Sequence, residues 1–190
     1  AEADGIEEPT AEELARYDKK RKGKKTSNKD WQSRTDPDAR VTKMKDGTTH
    51  LAYKAEHAVD LETGMVVAAA IEPAGCSDGE TIKSRVIDAQ VNLIRAGSEQ
   101  TVEEAVADKG YHKTESIEWL DNGAIRSYIP EKKERGKRQW RKWTAEQNKA
   151  YRANRRRVKG VRGRALMRRR GELVERSFAH VCETGGARRT

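Results

Sequence analysis

Cysteine is nearly absent. Cys76 and Cys182 stand far apart and match no metal-ligand spacing, which excludes a disulfide framework and a thiolate zinc site and leaves free thiols as the expectation. Long hydrophobic runs are missing too. The longest, MVVAAAI at 65–71, is far shorter than the ~20 apolar residues a membrane-spanning helix needs. With no signal peptide or lipidation signal, a soluble cytoplasmic protein is expected. Aromatic residues make up 5% of the chain and hydrophobic ones 34%, against 37% charged, so a sizeable part of the chain is expected outside the core. There is no P-loop and no dinucleotide fingerprint, and no Ser or Cys sits in an activating motif, so nucleotide-driven and covalent-nucleophile chemistry lack a carrier.

What is abundant is positive charge, and it is concentrated. Of the 190 residues, 131–170 hold 18 Lys or Arg against 3 acidic residues, a local +15, so the rest carries −6 of the net +9. A mildly acidic body with one cationic segment points to a polyanionic partner, nucleic acid before a membrane surface. The length suits one domain with appendages.

Residues 1–33 run from acidic to the cationic DKKRKGKK and read as a flexible charged linker, although Thr10 and Glu13 have capping-box spacing for a short helix. In HLAYKAEHAVD the two-residue period of a strand puts Leu51, Tyr53, Ala55, His57 and Val59 on one face. MVVAAAIEP reads as an antiparallel partner strand covered on both faces. The spacing of Ile82, Val86, Ile87, Val91 and Ile94 predicts a helix over 79–95. EAVAD is then a strand, TESIEWLDNG a helix ended by Gly123, and IRSYIPE a strand parallel to its predecessor. This is a mixed α/β sheet with flanking helices. A basic helix over AEQNKAYRANRRRVKG follows, started by the Thr144/Gln147 capping box and showing little apolar face. With Trp140, Trp143 and Tyr151 nearby, it suits phosphate contacts and base stacking by Lys137, Arg138, Trp140, Arg141, Arg155, Arg156 and Arg157, or else is a solvated insertion. In GELVERSFAHVCE, Leu173, Val174, Phe178 and Val181 form a stripe flanked by Glu175, while Glu172 points away.

Functional groups in open sheets gather beyond strand ends. Asp60 closes HAVD and Asp108 closes EAVAD, so if those strands lie parallel and adjacent their aspartates share an edge that the late helix can reach with Glu175. Three such carboxylates repel one another unless a cation holds them, and Mg²⁺ suits that donor set. Each also has a structural reading, the aspartates as turn formers and Glu175 as a surface ion-pair member.

At these residues the chain resembles the DDE transposases of bacterial insertion sequences, which carry a ribonuclease H-like catalytic domain. The likeness rests on SRTDPDARVTKMKDGTTHLAYKAEHAVDLETG, VADKGYH and GELVERSFAHVCETGG in that order, over residues 33–187. It implies a catalytic domain over 34–190, with a basic helical insertion at 131–170. It further implies Asp60, Asp108 and Glu175 as catalytic and metal-binding residues, Mg²⁺ or Mn²⁺ as cofactor, transposon ends and target DNA as partners, and a homo-oligomer when active. Gly171 and Cys182 stand where some relatives have an arginine and a lysine around the last carboxylate, which leaves Glu172 as an alternative third acid. Asp36 and Asp38 rank below Asp60 because DPDA reads as a turn. The N-terminal DNA-binding region and the further C-terminal helix of the family are not found, so a truncated piece is expected, and with it a rival function: a remnant that binds DNA without cutting it.

Overall fold

The computed structural model describes residues 10–20, 22–23, 27–30, 32–43, 47, 49–132 and 142–185. The chain divides into two units, Ala1–Ala52 and Tyr53–Thr190.

In the first unit the Thr10/Glu13 spacing closes as a reciprocal capping box. Thr10 Oγ1 accepts from Glu13 N at 3.3 Å and Glu13 Oε2 from Thr10 N at 2.9 Å, satisfying two donors that a helix start leaves over. Helix α1 (Ala11–Lys20) follows, with acidic residues in its first turn and lysines in its last, so 11–20 is helix rather than the flexible linker expected. Helix α2 (Ser27–Asp30) is tied to β1 (Arg40–Lys43) by Asn28, whose amide donates to Val41 O at 3.0 Å and accepts from Val41 N at 2.6 Å. Strand β2 (Thr49–Val59) begins in this unit, where its residues 49–52 pair antiparallel with β1.

From Tyr53 onward β2 belongs to the second unit and pairs antiparallel with β3 (Val66–Pro73), as its turn predicts. The more buried face of β2 lies opposite the one carrying Leu51 and Tyr53. Leu51 and Tyr53 are 49% and 42% exposed and Ala55 is exposed, while Glu56, on the opposite face, is 3% exposed. β3 is likewise covered on one face only: Ala68 is buried and Ile71 is 75% exposed. Helix α3 (Asp78–Arg95) is the cause, since it packs on β3 and brings Thr81 and Arg85 to the side carrying Lys54, Glu56 and Glu72. Glu56 is buried and Lys54, Glu72 and Arg85 are half-buried, which their ion pairs make tolerable.

β4 (Glu104–Val106) and β5 (Arg126–Tyr128) pair in parallel, joined through a 3-10 turn (Lys109–Tyr111) and α4 (Thr114–Asn122). The mixed α/β class therefore holds, with antiparallel and parallel pairs both present. The two sets of strands form separate ladders, however, and among the described residues none joins β2 to β4. The side-by-side arrangement invoked for Asp60 and Asp108 is thus not made.

The core comprises Ile82, Ala105, Ile117, Leu120, Ile129 and Ala150. Ala150 lies on α5 (Ala145–Lys159), which starts at the predicted Thr144/Gln147 capping box. Helix α5 is accordingly part of the core, not a solvated insertion. Its Asn154 is fully buried and brackets Ile129, accepting from the Ile129 N–H at 3.0 Å and donating to its carbonyl at 2.8 Å. Arg157, one turn on, donates Nε to Ser127 O at 3.0 Å and Nη2 to Ser127 Oγ at 3.2 Å. These two side chains supply β5 and the residue after it with hydrogen bonds that a further strand would otherwise provide. Helix α6 (Val161–Glu183) is a single helix about 35 Å long, joining the arginine-rich stretch to the GELVERSFAHVCE segment. Cys76 and Cys182 are free thiols, as expected. Among the described residues no helix is long and apolar enough to cross a membrane.

Candidate active site

Asp108 leaves β4 and caps the 3-10 turn, its Oδ1 accepting from Gly110 N at 2.7 Å. The turn is held from two sides. Tyr111 donates its hydroxyl to Glu56 Oε1 at 3.3 Å, and the Asp78 carboxylate, at the start of α3, lies against Gly110 so closely that a Cβ there would stand 2.2 Å from Asp78 Oδ2 and 2.9 Å from Asp108 Oδ1. Lys54 joins the two supports, its Nζ 2.8 Å from Glu56 Oε1 and 2.7 Å from Asp78 Oδ1. Glu56 Oε1 also accepts from Thr81 Oγ1 at 2.7 Å, while its Oε2 accepts no hydrogen bond from the described residues and faces Arg85 Nε at 3.8 Å. Burial pushes the Tyr111 hydroxyl's pKa up, and the Glu56, Asp78 and Asp108 carboxylates push it further, so Tyr111 stays a donor. Partial burial opposes the Lys54 charge, but its bonds to Asp78 and Glu56 outweigh that and hold the ammonium above its ordinary pKa.

Lys54, Glu56, Asp78 and Tyr111 were missed as a group by sequence reasoning. The available signal was the second period-two face of β2, with Lys54 and Glu56 in alternation and Glu72 paired across from Lys54.

Asp60 serves the β2–β3 turn. Its Oδ2 accepts from Thr63 N at 2.9 Å and Thr63 Oγ1 at 2.5 Å, and its Oδ1 from Glu62 N at 3.3 Å. Gly64, at φ +78°, completes the turn in a conformation that side-chain-bearing residues rarely adopt. Partial burial raises the Asp60 pKa, but the Thr63 and Glu62 hydrogen bonds, with the Arg169 charge, outweigh it and hold the carboxyl below the usual range. Because the folded-state pKa is depressed, the stabilisation is complete above the unfolded value of ~3.9 and is lost as pH falls through the folded value. Below about pH 4 the Leu61–Gly64 turn is expected to open, and amide exchange at Thr63 should show it. An Asp60→Asn variant should lack that acid limb.

Helix α6 reaches the same turn from the other side. Arg169 donates to the Leu61 and Glu62 carbonyls, Leu173 lies over Gly64, Ser177 hydrogen-bonds His57 Nδ1 at 3.2 Å, and Phe178 stacks on the His57 ring at 4.3 Å. Glu175 is exposed and lies about 200° around the helix from Leu173. Glu172, the alternative third acid, is also exposed and pairs with Arg176 at 3.6 Å. Among the described residues no group of three or more His, Cys, Asp or Glu is arranged to hold a metal ion. Asp60, Asp108 and Glu175 form no such group.

Of the expected DNA contacts, Lys137, Arg138, Trp140 and Arg141 lie outside the described residues. Arg156 is exposed, and Arg155 is half exposed and paired with Glu131 at 3.2 Å. Arg157 is turned inward onto Ser127. Tyr151 is not available for base stacking: it is buried between Trp143 at 4.9 Å and His112 at 5.3 Å.

No curated protein and no solved structure matches the chain. The transposase DDE domain family matches over residues 8–190, nearly the whole length. The chain therefore belongs to the transposase DDE domain family.

Proposed function

We propose that this domain cuts DNA strands and transfers them during transposition, with Asp60, Asp108 and Glu175 as its acidic residues, Mg²⁺ or Mn²⁺ as cofactor, and transposon ends and target DNA as substrates. It would work as a homo-oligomer on the bacterial nucleoid. The family match along residues 8–190 carries this reading. A second reading, DNA binding without turnover, is favoured by one observation: the three carboxylates sit in separate surroundings. Nicking of supercoiled plasmid with Mg²⁺ or Mn²⁺ separates the two. Cutting that the Asp108→Asn variant lacks at equal DNA occupancy supports the first, and binding without cutting by either protein supports the second.

Under both readings the duplex is held through phosphates by exposed arginines. With about four phosphate contacts, affinity should fall about 10²-fold between 50 and 200 mM salt. Arg156→Ala should reduce the slope of log K against log salt by about 1. Arg157→Ala should leave that slope unchanged and lower the melting temperature instead, because its guanidinium bonds Ser127. Equal slope changes in the two variants would refute the assignment.

A further inference from the structure

We propose that Glu56 and Asp78 are positioning residues for Asp108, acting through the Lys109–Tyr111 turn. The catalytic consequence rests on the proposed function, whereas the positioning itself does not. The direction of the Asp108 carboxylate is set by a turn of three residues, too short to hold itself rigidly. Each end of the clamp comes from a different element. Glu56, from β2, takes the Tyr111 hydroxyl. Asp78, from the first residue of α3, fills the space beside Gly110 that a side chain would need.

Lys54 makes the two into one unit by bridging Glu56 and Asp78, and Thr81 fixes Glu56 from behind. A carboxylate as buried as Glu56 is a poor source of stability, since desolvation offsets most of its ion-pair energy. Its geometry, by contrast, is strongly determined, because Lys54, Thr81 and Tyr111 converge on one oxygen. Displacing a reacting group by about 1 Å can cost 10²-fold in rate, so rigidity at Asp108 has value that stability bookkeeping does not register.

The full chain is compared with four variants, each at a temperature where melting curves show it folded. Tyr111→Phe removes only the hydroxyl tether, and amide exchange at Gly110 should quicken at least about 10-fold while exchange in α5 stays unchanged. Gly110→Ala forces a methyl against Asp78 and should lower nicking about 10²-fold at equal DNA occupancy. In an Asp78→Ala background the same Gly110→Ala change should cost much less, because the closer of the two opposing carboxylates is gone and only the Asp108 Oδ1 contact remains. A glycine needed only for folding would show the same penalty in both backgrounds. Unchanged Gly110 exchange in Tyr111→Phe, or equal Gly110→Ala penalties with and without Asp78, overturns the proposal. If the wild-type chain cuts no DNA, the proposed function fails by itself; amide exchange at Tyr111 in the Gly110→Ala pair then replaces nicking and decides the positioning role.

Discussion

Replacing Asp108 by asparagine is expected to lower DNA nicking by at least about 10³-fold, equivalent to about 4 kcal/mol, while DNA affinity changes less than about twofold. Asparagine is the informative choice because Asp108 has two separable duties in this structure. One is the cap, Oδ1 accepting from Gly110 N, which an amide oxygen performs nearly as well as a carboxylate. The other is negative charge, which asparagine lacks. The turn should therefore survive, with Tyr111 still on Glu56, and any loss of cutting belongs to the charge. Asp108→Ala would remove cap and charge together and could not separate them. Loss of DNA binding along with cutting would make Asp108 a structural residue, and retained cutting would remove it from the chemistry altogether.

Asn154→Leu is expected to destabilise the second unit by about 3 kcal/mol, because it leaves the Ile129 N–H and C=O without their side-chain partner in a fully buried place. For a chain of this length that corresponds to a fall of roughly 9 °C in melting temperature. Leucine keeps the same branched skeleton of heavy atoms, so the change opens no cavity and the loss does not report one. Asn154→Asp should be no better, since a carboxylate accepts from the Ile129 N–H but cannot donate to its carbonyl. The control is Arg155→Ala on the same helix, where a half-exposed pair with Glu131 is at stake; surface pairs contribute about 0–1 kcal/mol. Thermal melts that place the two variants together would refute the reading of α5 as the support for the β5 edge.

Several elements were legible in the sequence because they depend on neighbours a few residues apart. The capping spacings at Thr10 and Thr144 closed as helix starts. The apolar period over 79–95 became α3, the β2–β3 turn produced an antiparallel pair, and the helix after EAVAD delivered β5 parallel to β4. Cys76 and Cys182 remained thiols. The motifs VADKGYH and VERSF, read with the rest, pointed to the family the chain belongs to.

Tertiary structure alone decided which face of β2 is inside. A period of two separates two faces but does not say which one meets a helix, and the general rule that charges face water does not decide it. It fails here because Lys54 and Glu56 find Asp78, Thr81, Arg85 and Tyr111, all more than twenty residues away in sequence. The same holds for α5: its composition reads as a solvated cationic helix, yet Ala150, Tyr151 and Asn154 seat it in the core. The surroundings of Asp60, Asp108 and Glu175 were settled in this way too, two in local turns and one on an exposed helix face. Local patterns carry the elements because their hydrogen bonds are local; burial of charge depends on partners brought together only by the fold.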